Sequence, residues 1–249
     1  MAGEFKLKDV LPWGRNRAEY VAFIDLNDID TDTRILDCAG GPASFNAEMT
    51  ATGYAVTSTD PLYRFSATEI AGRVDETRIE MIAGLRAALH RFDFTWHESI
   101  ERHEAIRMAA VGDFLADFEA GKRAGRYRSA ALPELPFGDA AFDLALSSHF
   151  LFLYSDHFDT GQHVANIAEM LRAAAEVRIF PLLDLDGEPS RHVESVRALL
   201  AERGFDSEIQ QVDYEFQKGG NRMLRVYRSG RYGVRSMPES RPAARSAII

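Results

Sequence analysis

The chain predicts an α/β protein built on a mostly parallel sheet, and three observations predict it. The first is the stretch Arg34 to Pro61, RILDCAGGPASFNAEMTATGYAVTSTDP, which reads as strand, small-residue turn, helix and strand. The second is that aliphatic strand patterns go on alternating with helical ones to about residue 203, the order of a sheet whose parallel neighbours are joined by crossover helices. The third is the chain's end, where 208–217 and 222–228 read as two strands around Lys218-Gly219-Gly220-Asn221, a hairpin signal and so an antiparallel pair.

The elements follow in order. Arg15 to about Asp28 reads as an amphipathic helix with Tyr20, Phe23, Ile24 and Leu26 on or near one side. Strand one is Arg34–Asp37, then a helix at about 43–52 and strand two at 54–59. Between the strands, Ala39-Gly40-Gly41-Pro42-Ala43-Ser44 carries so little side chain that the backbone can turn sharply and let a ligand lie against it. Roughly 65 residues then separate strands two and three. Two long helical patterns fill them, about 66–91 and 99–120, and we expect them to form an insertion over the C-terminal edge of the sheet, where open α/β sheets bind ligands. Strand three is expected at 127–130, strand four at 142–147, a helix at 161–175, strand five at 176–181 and a last helix at 189–203. The domain plan is a helical lead-in at 1–30, a ligand-binding domain at 31–228 and a loose tail from 229.

Composition bounds the function. At 249 residues the chain can bury a sizeable core, and 46% hydrophobic with 27% charged residues is ordinary for a globular protein. A net charge of −9 argues against broad nucleic-acid binding. A single cysteine, Cys38, excludes an internal disulfide and suits a reducing compartment. No apolar run approaches the ~20 residues of a membrane span and no leader opens the chain, so a soluble cytoplasmic protein is expected.

The two strand-end acids point to the ligand. Asp60 follows Asp37 by 23 residues, near the spacing at which a second-strand carboxylate meets a ribose. Asp60 also suits an N-cap before Pro61. Asp37 stands directly before the turn, where a fixed carboxylate repels a pyrophosphate and suits an ammonium or sulfonium group; it can equally organise the turn. With these residues the chain resembles motif I of the class I S-adenosylmethionine (SAM) methyltransferases, hhD-x-G-x-G: Asp37 matches the acid and Gly41 the middle glycine, while Ala39 and Ala43 replace the other two. Leu132-Pro133-Glu134-Leu135-Pro136-Phe137 and the following Phe142-Asp143 are similar to that family's passage into strand four, and the local wording resembles a bacterial group of unknown substrate.

The resemblance implies a seven-stranded sheet in the order 3-2-1-4-5-7-6 with the last strand antiparallel, SAM as cofactor, and methyl transfer to a small molecule. It implies a cofactor site of Asp37, Ala39, Gly40, Gly41, Asp60, Pro61, Leu132 and Ser148. Before the first helix, Arg15 is placed to reach the cofactor carboxylate or a substrate anion and Trp13 to cap the pocket, or else both pack the N-terminal helix on the sheet. The family often places an acid after strand three for the adenine amino group; here that position is Ala131, with Glu134 a weak substitute. His149, ending strand four, is the candidate general base or else a pocket wall, because its unperturbed pKa lies near working pH. His97 and His103 are six apart and cannot ligate zinc as an i, i+4 pair, so no metal is expected. The insertion is expected to form a lid that selects the acceptor. A non-catalytic or macromolecule-modifying protein of the same fold and, less well, an NAD(P)-dependent oxidoreductase stay open as alternatives. The methyl acceptor and the oligomeric state are not legible in the sequence.

Overall fold

The computed structural model describes residues 13–230; the expectations for the first part of the lead-in and for most of the tail lie outside the described residues. Seven strands form one sheet: β1 (Arg34–Cys38), β2 (Ala55–Thr59), β3 (Tyr127–Arg128), β4 (Phe142–Ser148), β5 (Ala174–Phe180), β6 (Phe205–Gln211) and β7 (Arg222–Arg228). Their order is β3-β2-β1-β4-β5-β7-β6, as expected. β1 pairs in parallel with β2 and β4, and β7 runs antiparallel to both β5 and β6.

Period-2 alternation assigns the two faces. Ile35, Leu144 and Leu146 meet helices α1 (Arg17–Ile24) and α2 (Phe45–Ala51) on one side. Leu36, Cys38 and Ala145 meet α5 (Thr160–Ala173) and α6 (Val193–Glu202) on the other. The inserted helices α3 (Ala67–Ala87) and α4 (Ile100–Arg123) sit where the sequence places them, between β2 and β3. Phe114 and Phe118 of α4 pack with Leu62, Tyr63 and Tyr127 in a third cluster at the β3 edge.

Several boundaries move, each for a local reason. α1 begins at Arg17 because Asn16 and Glu19 close a capping box, and it ends at Asp25, whose backbone is left-handed. The Arg178 guanidinium donates to the carbonyls of Ile24 and Asp25 there, a cation at a helix C-terminus. α5 stops at Ala173 and β5 begins at once, two residues earlier than expected. The closing hairpin is not tight. β6 leaves the sheet at Gln211, and residues 213–218 run instead against the α3–α4 linker, where Phe216 O accepts from Asp93 N at 2.7 Å and Lys218 N donates to Arg91 O at 2.9 Å. The aromatic side chains decide this: Phe216 stacks on His103 with ring centroids 4.3 Å apart, and Tyr214 lies 5.2 Å from Trp96.

One buried carboxylate ties these parts together. Glu19 of α1 accepts from Arg107 of α4, from His97 of the linker at 3.2 Å and from Tyr214 of the β6–β7 connection at 3.0 Å. Arg107 also donates to Gly14 O at 3.3 Å. Burial opposes the charge on Glu19, yet the Arg107 guanidinium and its hydrogen bonds hold the carboxyl well below the usual range. Breaking a buried pair leaves one charge without a partner, so Arg107→Met is expected to cost about 3–5 kcal/mol of folding stability, and Glu19→Gln in the same chain should recover part of it; urea denaturation of both variants checks this.

Candidate functional site

The strand order reverses between β1 and its neighbours β2 and β4, and open sheets leave a crevice at the carboxyl ends of such strands. A cavity of about 940 Å³, mouth included, opens at that point. Its walls include Ala39, Gly40 and Gly41 from the turn after β1, Asp60, Pro61 and Leu62 after β2, and Ser148, His149 and Phe150 after β4. Ala130, Ala131 and Leu132 line one side, and Trp13, Arg15 and Tyr20 close another.

The turn is held by contacts that explain its sequence. Gly40 N donates to Thr59 O at 3.2 Å, crossing to β2. A side chain on Gly40 would drive a Cβ to 2.3 Å from Asp37 Oδ2, so only glycine lets the carboxylate tuck beneath the turn. Gly41 has φ +57° with nothing within 4 Å of a would-be Cβ, leaving its backbone open to the cavity. Ala39 adopts φ +58°, so the alanine that replaces a family glycine does sit in the left-handed region, while Ala43 does not.

Asp60 is both a cap and a cavity wall. Its Oδ1 accepts from Leu62 N at 2.7 Å and starts the 3-10 turn Pro61–Arg64, and its Oδ2 accepts from Gly41 N at 3.0 Å. A carboxylate has about four acceptor sites, so capacity is left for a ligand. Asp37 is placed differently from the expected cofactor contact. It does not line the cavity; it lies beneath the turn, 1% exposed, with Tyr20 Oη donating to Oδ1 at 3.2 Å and Ser58 Oγ to Oδ2 at 3.0 Å. Burial, aided by the charge on Asp60, pushes the Asp37 carboxyl up to about 7 against those two hydroxyls. Burial likewise pushes Asp60 up to about 6.

Arg15 enters the cavity wall with Nη1 donating to Trp13 O at 3.3 Å, and among the described residues its buried Nε has no partner. Burial, then the nearby Arg107 charge, lowers its pKa to about 10. Trp13 donates its indole N–H to His103 Nε2 at 3.3 Å, and burial with the Arg107 charge holds His103 down to about 2, a neutral acceptor. His149 is partly buried at φ +52°, its N–H bonded to Phe180 O at 2.6 Å and its Nδ1 2.9 Å from Ser148 Oγ. Burial and the charges of Arg15 and Arg107 hold its pKa well below that of free histidine, so it is neutral at pH 7.

Two expectations are corrected. No residue of the insertion lines the cavity; α4 packs behind the N-terminal segment, where a Cβ on Gly14 would meet the Val111 side chain at 2.9 Å. The insertion backs the wall formed by residues 13–15, and α4 packs on α2 and β3 as well. Glu134 is exposed and outside the cavity, in a short turn bridged to Ala131, so it cannot replace the missing adenine acid. The basic run near 122–128 is partly structural: Arg126 binds Asp117 with both terminal nitrogens and also Asn46. Among the described residues no cluster of three or more His, Cys, Asp or Glu could hold a metal, and no helix is long and apolar enough to cross a membrane.

Sequence reasoning missed the polar parts of Tyr20, Glu19 and Arg107. For two of them a signal was there: Glu19 completes an N-x-x-E capping box, and Arg107 interrupts the buried stripe Ile100, His103, Ala110, Val111, Phe114.

No protein-family model matches the chain. It is 34% identical over 224 residues to the uncharacterized protein MJ0045 of Methanocaldococcus jannaschii, covering 89% of this chain and 98% of that one. Among solved structures it is similar to magnesium protoporphyrin IX methyltransferase from Synechocystis PCC 6803 with bound SAM, at 14% identity and TM-score 0.43 over 79% of this chain and 70% of that one. It is also similar to a SAM-dependent methyltransferase from Methanosarcina mazei, at 16% identity and TM-score 0.42 over 82% and 94%.

Both strand-end carboxyls have folded pKa values above the ordinary ~3.9, so the folded state binds the extra protons. Their contribution to stability is complete below about pH 4 and is lost as pH rises through about 6 for Asp60 and about 7 for Asp37. In the ligand-free protein, Asp60→Asn should therefore flatten the fall in stability between about pH 4 and 6, read by urea titrations across that range.

Proposed function

The chain belongs to the same family as the Methanocaldococcus jannaschii protein, and we propose that it is a SAM-dependent methyltransferase acting on a small-molecule acceptor. The observation that carries this reading is the Asp60 carboxylate on the cavity wall beside a turn of almost no side-chain bulk, at the strand-order reversal. The motif I and strand-four resemblances support it, as does the sheet order they implied.

The residues present fit the cofactor. Asp60 has acceptor capacity for a ribose diol, in a charge-assisted pair. Gly41 leaves open space beside its Cα for the methionyl part, Ser148 borders it, and Arg15 has an Nε without a partner among the described residues for the carboxylate. Pro61, Leu132 and the backbone near Ala130 and Ala131 provide an apolar slot for adenine. Asp37 lies below the turn, held by Tyr20 and Ser58, where the bare Gly40 leaves it room. Bound SAM supplies a methyl group on sulfur that is open to in-line attack, and its thioether leaves without protonation. The protein's work is to align the acceptor, exclude water and accept a proton. His149, on the wall and neutral at working pH, is the group placed to accept it. An oxidoreductase is separated by ligand: calorimetry with S-adenosylhomocysteine (SAH) against NADH and NADPH overturns the methyltransferase reading if a nicotinamide cofactor binds and SAH does not.

Asp60→Ala is expected to weaken SAH binding by about 1.5–3 kcal/mol, the range for hydrogen bonds to charged groups. Arg15→Gln should weaken SAH in the same way yet leave methylthioadenosine, which has no carboxylate, bound as in the parent chain; equal losses for both ligands exclude a carboxylate contact. Once a metabolite screen scored by SAM-to-SAH turnover supplies an acceptor, His149→Ala should lower kcat by ~10²–10⁴-fold with SAH affinity kept, whereas a loss confined to KM makes His149 a wall residue.

A further inference from the structure

We propose that Tyr63, which lies outside the cavity, is a positioning residue for the ligand: its hydroxyl fixes the turn 39–41, and through its ring the inserted helix α4 sets how often that turn is ready to bind. The inference rests on the SAM reading for the identity of the ligand, not for the hold on the turn.

The turn needs outside support. Ala39 and Gly41 are both left-handed, at φ +58° and +57°, and an alanine stays in that region only where its surroundings hold it. Gly40 N donates to Thr59 O at 3.2 Å and Gly41 N to Asp60 Oδ2 at 3.0 Å. Tyr63 Oη donates to Gly41 O at 2.8 Å, so Gly41 is gripped at its N–H and at its C=O. Pro42 follows and has no N–H with which to close the turn from within. Asp60 shares its hold on Gly41 with whatever binds in the cavity. Tyr63 does not: it is 1% exposed and lines no part of the cavity, so a ligand there does not compete for its hydroxyl.

Gly40 belongs to the same device. A Cβ on it would lie 2.9 Å from Tyr63 Oη, so the bare residue lets the phenol come in under the turn. Burial, then the charges of Asp60 and Asp37, hold that phenol well above its ordinary range, which keeps it a donor at working pH.

The other end of the side chain belongs to the insertion. Tyr63 lies in the 3-10 turn Pro61–Arg64 that Asp60 caps. Its ring packs on Phe114 and Phe118 of α4, with centroids 5.9 and 5.7 Å away, and edge-on to Tyr127 of β3 at 5.3 Å. Tyr127 in turn donates to Asp117 Oδ2 of α4 at 3.0 Å. All four rings are buried, and in a close-packed cluster a change in one displaces its neighbours. The insertion does not touch the cavity, yet it bears on binding through one hydroxyl.

The test combines calorimetry with SAH and NMR of the ligand-free protein labelled with ¹⁵N-glycine. Tyr63→Phe keeps the ring and removes the donor. The SAH Kd should rise about 3–10-fold, as when only about a tenth to a third of the free protein presents the competent turn. Gly40 and Gly41 amides should acquire relaxation dispersion, while Gly53 and Gly204 stay as in the parent chain. A merely structural hydroxyl would move neither readout, because a small loss of global stability leaves nearly every molecule folded at about 25 °C. Phe114→Leu, which leaves the hydroxyl in place, should shift both readouts in the same direction and add little to Tyr63→Phe. It also supplies both readouts if Tyr63→Phe fails to fold. Parent-like SAH affinity or a quiet turn in Tyr63→Phe overturns the positioning role, and a parent-like Phe114→Leu or fully additive losses overturn the coupling to α4. If the parent chain does not bind SAH, the cofactor reading falls, and dispersion at Gly40 and Gly41 still decides whether Tyr63 holds the turn.

Discussion

Glu19 and Arg107 form an ion pair that both residues bury completely, and three pieces of chain distant in sequence meet on it. Water cannot solvate either charge, so each must be satisfied by the other and by surrounding donors and acceptors. His97, Tyr214, the Asn16 backbone and the Gly14 carbonyl supply them. That requirement fixes how α1, the inserted α4 and the connection 212–221 sit together. It also explains why β6 gives up its tight hairpin: the chain leaves the sheet early so that Tyr214 can reach the carboxylate and Phe216 can cover the two histidines.

The cavity inherits its shape from this pair. Trp13 and Arg15 form one wall, and their segment is anchored to α4 through Gly14, Val111, His103 and Arg107. The electrostatics are inherited too. Arg107 is paired with Glu19, whereas Arg15 has no carboxylate partner among the described residues, so these present a net positive charge toward His149. Anionic groups of a ligand are favoured there, and a protonated histidine is not.

At the floor the balance is reversed. Asp37 and Asp60 are held where burial disfavours their charge, and Ala39 occupies a backbone region that suits glycine. Above about pH 7 the buried charges and the left-handed alanine each carry a cost in the empty protein. All are understandable as features of a surface shaped for a ligand, since hydrogen bonds donated to Asp60 favour its ionised form and the turn's backbone must lie close to what binds.

The strand-turn-helix-strand of 34–61, the later alternation of strands and helices, the two inserted helices and the positions of Gly41, Asp60, Leu132, Ser148 and His149 were legible because each depends on local pattern: period-2 or 3.6 hydrophobicity, a run of small residues, an acid at a strand end. The course of 212–221, the place of the insertion behind the wall, the burial of Asp37 under Tyr20, and the Glu19–Arg107 pair were not. Each of these joins residues far apart in the chain, Glu19 and Tyr214 by 195 positions, and nothing in a local window states which buried charge will find which partner. Sequence alone determined that there would be a turn of almost no side-chain bulk, flanked by two strand-end acids, at the end of a parallel strand. Tertiary structure decided what stands opposite it, because only packing brings an arginine and a neutral histidine to the walls of one cavity and a buried acid beneath its turn.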